Sequence, residues 1–176
     1  MEIRSESRIK YPRDQVYRAY RDRLPEIAKY IPDIKEIVVK SRTDAPHGPK
    51  LHNEWVADRE IPGFAQAILK PEHLRWDDHA EWHDDEHYVA WTLKTRAFTD
   101  AVHCAGRNTF HEDGTGTRVL LTGDLTIDLK EIPGVPGFLA KRIAPQVEKF
   151  IVAMIRPNLE QVNASLERYL DAEARK

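Results

Sequence analysis

The chain of 176 residues sets 27 lysines and arginines against 29 aspartates and glutamates, a formal net charge of −2, with 41% hydrophobic and 32% charged residues. That balance, without a dense basic stripe interleaved with aromatics, gives no electrostatic footprint for nucleic acid. The length predicts a single domain over residues 1–176, able to bury about 70% of its unfolded surface.

The longest apolar run, Phe150 to Ile155, is far short of the ~20 residues a bilayer span requires. The opening Met-Glu-Ile-Arg-Ser-Glu alternates charge and lacks the apolar centre of a signal peptide. Cys104 is the only cysteine, so no internal disulfide is expected. These features together predict a cytoplasmic protein.

In chain order, Ile3, Ser5, Ser7 and Ile9 share one face of an opening strand, with Arg4, Glu6, Arg8 and Lys10 on the other. Pro12 suits the start of a helix carrying Val16, Tyr17 and Tyr20. Leu24-Pro25 restarts the helix and Pro32 ends it. A strand over Ile34 to Thr43 follows, closed by the turn Asp44-Ala45-Pro46-His47-Gly48-Pro49. Leu51, Asn53, Trp55 and Ala57 share a face of the next strand. Ile61, Phe64, Ala65, Ile68 and Leu69 then show helical spacing, and a short amphipathic helix is expected there, stopped by Pro71.

Leu74, Trp76, Asp78, Ala80 and Trp82 share a face of the following strand, and Val89, Trp91, Leu93 and Thr95 of the one after. Val102, Cys104, Gly106, Asn108 and Phe110 line the sixth. Glu112-Asp113-Gly114-Thr115-Gly116 is a hairpin signal, and Val119 to Leu129 gives the seventh. A closing helix is expected from Pro145 to about Ala172, its inner stripe traced by Val147, Ile151, Met154, Val162, Leu166 and Tyr169. Pro157 should bend it by freeing the carbonyl of Ala153.

This order of elements resembles the helix-grip fold of the START-like, or SRPBCC, superfamily, which includes lipid-transfer, coenzyme Q-binding and polyketide cyclase proteins. The resemblance spans essentially the whole chain. It rests on the opening strand, the proline-marked paired helices up to Leu24-Pro25-Glu26-Ile27-Ala28-Lys29-Tyr30-Ile31-Pro32-Asp33-Ile34, the Gly114 hairpin and the terminal helix. It implies an α+β fold: a seven-stranded curved antiparallel sheet wrapped around a long C-terminal helix, with two short helices between strands 1 and 2. It also implies a pocket for an apolar or aromatic ligand. Fold alone assigns no task.

Within such a pocket Asp78 is the candidate catalytic residue. A carboxylate on an apolar face must be paired, hydrogen-bonded or protonated, because burying it bare is costly. Either it anchors a ligand or acts as its general base, or a bulge turns it outward. Asn53 and Asn108 are weaker instances of the same pattern, and Asn158 either touches a ligand or satisfies the backbone disturbed by Pro157. The expected apolar lining comprises Trp55, Trp76, Trp82, Trp91, Cys104, Phe110, Leu121, Phe138, Ile151 and Met154. Gly106 and Gly123 mark either a bend or room for a ligand.

His79, His83 and His87 are spaced by four, but on a strand the first two share the outer face with Glu81. His79-Ala80-Glu81-Trp82-His83 also places its glutamate one position too late for a zinc-protease motif. A solvated charged face is the expectation, with no metal and no cofactor. The apolar segment Ile132 to Leu139, flanked by Lys130, Lys141 and Arg142, is either a mouth loop touching an anionic membrane surface through residues 132–142 or ordinary packing under the helix. Phe64 and Ile68 are candidates for the opposite lip. The functional reading is a carrier or sequestering protein for a lipid, quinone or polyketide-like molecule. The alternatives are a cyclase or aromatase using Asp78 as acid or base, and a protein-interaction module.

Overall fold

The computed structural model describes residues 1–66, 68–128 and 135–176. Its strands are β1 (Glu2–Ile9), β2 (Ile34–Thr43), β3 (Lys50–Ala57), β4 (Arg75–His83), β5 (Tyr88–Thr95), β6 (Val102–Asp113) and β7 (Gly116–Ile127). They form one antiparallel sheet in the order β1-β7-β6-β5-β4-β3-β2. From β2 to β7 each strand pairs with the next, through short turns except for the longer segment 58–74 between β3 and β4. β1 pairs with β7, at the edge opposite β2. The chain therefore has to travel between the two edges after β1, and α1 (Arg13–Asp22) and α2 (Leu24–Ile27) make that crossing.

Period-two alternation carries through the middle of the sheet. Trp76, Asp78, Ala80 and Trp82 of β4 are buried, as are Val89, Trp91, Leu93 and Thr95 of β5. Opposite residues in an antiparallel pair lie on the same face, so Trp55 meets its cross-strand partner Trp76 with ring centres 5.6 Å apart. Gly114 has φ of 63° in the two-residue loop between β6 and β7. That is the left-handed geometry such hairpins require.

The closing helix α3 runs from Gly137 to Glu173, 37 residues, or roughly 55 Å at 1.5 Å per residue. Val147, Ile151, Met154, Ile155, Val162, Leu166 and Leu170 are buried along it. Its C-terminal half is fastened by polar contacts. Asn163 Nδ2 donates to Ser7 Oγ (3.2 Å) and Ser165 Oγ to the Tyr30 carbonyl (2.9 Å). Asp171 takes the Tyr11 hydroxyl at 2.6 Å and Lys10 at 2.7 Å. The expected helix-grip architecture is present: an open seven-stranded antiparallel sheet, two short helices after the first strand and a long helix at the end.

Three boundaries differ from expectation. The segment 61–69 is not an amphipathic helix: its described residues form turns, with Ala65 N bonded to Pro62 O and Ile68 N to Ala65 O. A helical turn follows only at Pro71–His73. Gly63 weakens any helix here, and nine residues are too few to overcome a costly nucleus. The closing helix starts at Gly137 rather than at Pro145, which lies inside it on the exposed side. There the carbonyl of Lys141 loses its partner only where solvent reaches it. β7 ends at Ile127. Leu129, Lys130 and residues 132–134 of the apolar segment lie outside the described residues.

Candidate functional site

The site lies where the middle of α3 crosses the inner face of β3, β4 and β5. Leu51, Asn53 and Trp55 come from β3, Trp76, Asp78, Ala80 and Trp82 from β4, and Val89, Trp91 and Leu93 from β5. Ile155, Asn158 and Leu159 of α3 form the roof, and Tyr20, Arg21 and Leu24 close the end near α1. The cavity between these side chains measures only about 30 Å³. The pocket is a narrow apolar cleft between side chains. Arg21 and Leu159 are its half-buried members on the helices, so it opens between α1 and the middle of α3.

Asp78 sits on the apolar face, only 7% exposed. Of the two placements open to it, the inward one is observed. Its Oδ2 accepts from Asn53 Nδ2 (3.1 Å) and more distantly from Trp55 Nε1 (3.4 Å). Burial pushes its pKa up to about 6, against the opposing pull of those two donors. Asp78 Oδ1, Asn53 Oδ1 and Trp82 Nε1 are buried without a hydrogen-bond partner among the described residues. Such atoms are rare in a protein interior, because each forfeits the hydrogen bonds it made to water.

Beside Asp78 runs a satisfied chain. Trp91 Nε1 donates to Asn108 Oδ1 at 3.0 Å, and Asn108 Nδ2 donates to the Tyr20 hydroxyl at 3.2 Å. Burial, reinforced by the Asp78 carboxylate, holds the Tyr20 hydroxyl well above the usual phenol range. Trp91 lies over the directly opposed glycines Gly106 and Gly123. A Cβ at Gly106 would stand 2.5 Å from its ring and 2.4 Å from the Thr122 carbonyl. The paired glycines therefore make room for an indole of the protein itself.

Of the residues singled out in the sequence, Asn53, Trp55, Trp76, Asp78, Trp82, Trp91 and Asn158 meet at this cleft. Asn158 borders the cleft, and its Nδ2 donates to the Met154 carbonyl at 2.7 Å, the one next to the Ala153 carbonyl that Pro157 frees. Asn108 supports Trp91 from behind. Phe110 packs edge-on against Tyr17 and Tyr20. Leu121 and Cys104 are buried in the core away from the cleft, and burial raises the Cys104 thiol to about pKa 12, far from an activated thiolate. Ile151 and Met154 border a smaller gap with Leu69, Leu74 and Phe98.

Phe138, expected in the lining, is 80% exposed at the start of α3. Phe64 is 40% exposed and borders the cleft no more than Phe138 does. With α3 beginning earlier than expected, Phe138 rides on its first turn, beyond the sheet. The described opening of the cleft lies at Arg21 and Leu159; the expected mouth loop falls in part outside the described residues.

Tyr20, Arg21, Leu24 and Leu159 were not foreseen as site residues. The spacing of Tyr20 with Val16 and Tyr17 placed it on the buried face of α1, which is the signal that points it toward the sheet. On the outer face, His79 stacks on His52 with ring centres 4.5 Å apart, and His52 Nε2 lies 2.7 Å from Asp77. His83 stacks on Tyr88, and His87 pairs with Asp14. Among the described residues no cluster of three or more histidine, cysteine or carboxylate side chains is arranged to hold a metal ion. No helix among them is long and apolar enough to cross a membrane.

No protein-family model matches the sequence, and no curated protein matches it significantly. Solved structures do match the fold. TTHA0849 from Thermus thermophilus is 23% identical, with 99% of each chain covered and a TM-score of 0.70. The ZhuI aromatase/cyclase from Streptomyces sp. R1128 is 15% identical over 98% of this chain and 95% of that one, with a TM-score of 0.63. Ara h 8.0201 is 10% identical over 98% of each chain, with a TM-score of 0.55. These likenesses show the fold: the chain has the helix-grip architecture.

Proposed function

We propose that the protein binds an apolar small molecule, of lipid, quinone or polyketide-like character, in the cleft between β3–β5 and α3, as a carrier or sequestering protein. One observation carries the reading. An indole-lined cleft holds three buried polar atoms whose hydrogen-bonding capacity is unused, and a ligand site pairs apolar walls with a few such orienting groups. A ligand burying about 200 Å² of apolar surface would gain roughly 5 kcal/mol before ordering costs.

The cleft is too narrow to accept such a molecule without widening. Pro145 and Pro157 each remove a backbone hydrogen bond from α3, so bending the helix away from the tryptophans sacrifices less there than in an unbroken helix. The fastened C-terminal half would stay in place. Phe138 and Leu139, exposed beside Lys141 and Arg142, fit a transient contact of residues 132–142 with an anionic membrane surface, from which such a ligand would be drawn. Native mass spectrometry of gently purified protein tests the main reading. It should show a bound apolar molecule, or uptake of one on exposure to a lipid extract; protein that stays bare in both cases refutes it.

A second reading, a cyclase- or aromatase-type enzyme, is favoured by Asp78 itself. A buried carboxyl near pKa 6 is suited to pass a proton either way at neutral pH. It also draws support from the aromatase/cyclase among the fold neighbours. Replacing Asp78 with Asn would abolish turnover of a reactive poly-β-ketone chain while ligand uptake persists. Unchanged turnover would remove Asp78 from the chemistry.

A further inference from the structure

We propose that the cleft selects an amine, with the protonated nitrogen of a small ligand on the free oxygen of Asp78 and its apolar body among the indoles. This rests on the cleft being a ligand site, and it narrows what that ligand is. Asp78 and Asn53 are direct cross-strand partners, and each has one buried oxygen without a donor. Two neighbouring acceptors in want of donors suit an ammonium group, which offers three N–H bonds and no acceptor. A carbonyl-rich ligand would leave both oxygens unsatisfied, and a carboxylate would add a second negative charge beside the first.

The walls point the same way. Trp55, Trp76, Trp82, Trp91 and Tyr20 line the space around Asp78, and indole faces attract a desolvated cation more strongly than other aromatic rings do. Among the described residues Asp78 has no lysine or arginine partner. Arg21, the cation at the rim of the cleft, is engaged by Asp22 and Asp84. A cationic ligand would supply the missing countercharge.

The mouth does not oppose it. Arg21 is held by Asp22 and Asp84, and Arg42 by Asp22 and Asp44. At the rim Arg21 is thus matched by two aspartates and does not bar an approaching cation. Burial sets the Asp78 titration near pH 6, so its charge, and with it the selectivity, is tunable around neutrality.

Benzylamine and benzyl alcohol, alike in shape and different in charge, test the proposal by tryptophan fluorescence titration between pH 5 and 8. At pH 8 the amine should bind at least about tenfold more tightly than the alcohol. That advantage should fall as the pH drops through about 6 and Asp78 takes up a proton, while alcohol binding changes little. Tyr20 and Arg21 of α1 are the titratable or charged groups that line the cleft with Asp78, and His52 of β3 lies on the outer face, stacked on His79. β5 and α3 line the cleft with Val89, Trp91, Leu93, Ile155, Asn158 and Leu159, none of which titrates.

The pH step should therefore survive His52→Gln, with alcohol binding retained, whereas in Asp78→Asn the step should vanish and the ratio of amine to alcohol affinity should fall to about one. An alcohol bound as tightly as the amine, or a preference that persists in Asp78→Asn, overturns the amine proposal and leaves the apolar site standing. Failure of both compounds and of an apolar dye overturns the site and the proposal together.

Discussion

Under the C-terminal half of α3, β1 and β7 present Ile3, Val119 and Leu121, and the helix brings Val162 and Leu166. All five have no exposed surface. Under the middle of the same helix, β3, β4 and β5 present four tryptophans and an aspartate, and the helix brings Ile155, Asn158 and Leu159. The first region leaves one buried polar atom unpartnered, Asn163 Oδ1; the second leaves three. One helix thus serves as a bolt at one end and as a roof at the other. The first region is built for stability, and the second gives some of it up for unsatisfied chemistry.

The largest effect should come from truncating the bolt. Leu166→Ala deletes a side chain that is 0% exposed and should cost about 3 kcal/mol in denaturant unfolding. Two turns earlier, Leu159→Ala removes a half-buried roof residue and should cost under about 1 kcal/mol, while strengthening dye uptake. Equal losses at the two positions would erase the distinction between the regions.

Next in size is Gly106→Ala. Its new Cβ would collide with the Thr122 carbonyl and the Trp91 ring, so Trp91 must leave its seat. A loss of about 2 kcal/mol, of the order seen for overpacked cores, should accompany a red shift of tryptophan emission. An unshifted spectrum with full stability would mean that the glycine pair merely permits curvature.

Asp78→Asn should act in the opposite direction. The folded-state pKa near 6 lies above the ordinary carboxylate value, so the native state holds a proton that the unfolded chain has released between about pH 4 and 6. Stability due to Asp78 is therefore lost as the pH rises through that window. The substitution should raise stability by roughly 1–3 kcal/mol at pH 8 and by almost nothing below about pH 4. A destabilised variant at pH 8 would show that the carboxylate is structurally compensated. Phe138→Ser should fall within about 0.5 kcal/mol of the parent, as exposed substitutions do.

The strands were legible because half-buried antiparallel strands write their inner face into alternate positions. Trp76, Asp78, Ala80 and Trp82 marked the strand and left Asp78 either inward or turned out by a bulge, and the regular pairing of β4 with β3 and β5 makes it inward. The cleft was legible only in part, since alternation says which face a residue takes and not which neighbours cross the gap. Cys104, Leu121 and Phe110 are on the correct face and still lie away from the space. Tyr20, Arg21 and Leu159 reach it because of the angle at which α1 and α3 cross the sheet, and no local pattern encodes that angle. The segment 61–69 misled for a different reason. Its apolar spacing is helical, but Leu69 and Ala65 are buried through turns, with a proline and a glycine setting the backbone.

The central claim, that the space under the middle of α3 receives an apolar ligand, meets its most direct test in titration with an environment-sensitive apolar dye read by energy transfer from the tryptophans. The account predicts saturation at one dye per chain, with strong transfer and displacement by a competing apolar compound. Linear, unsaturable uptake without transfer would place the dye on the surface and contradict it.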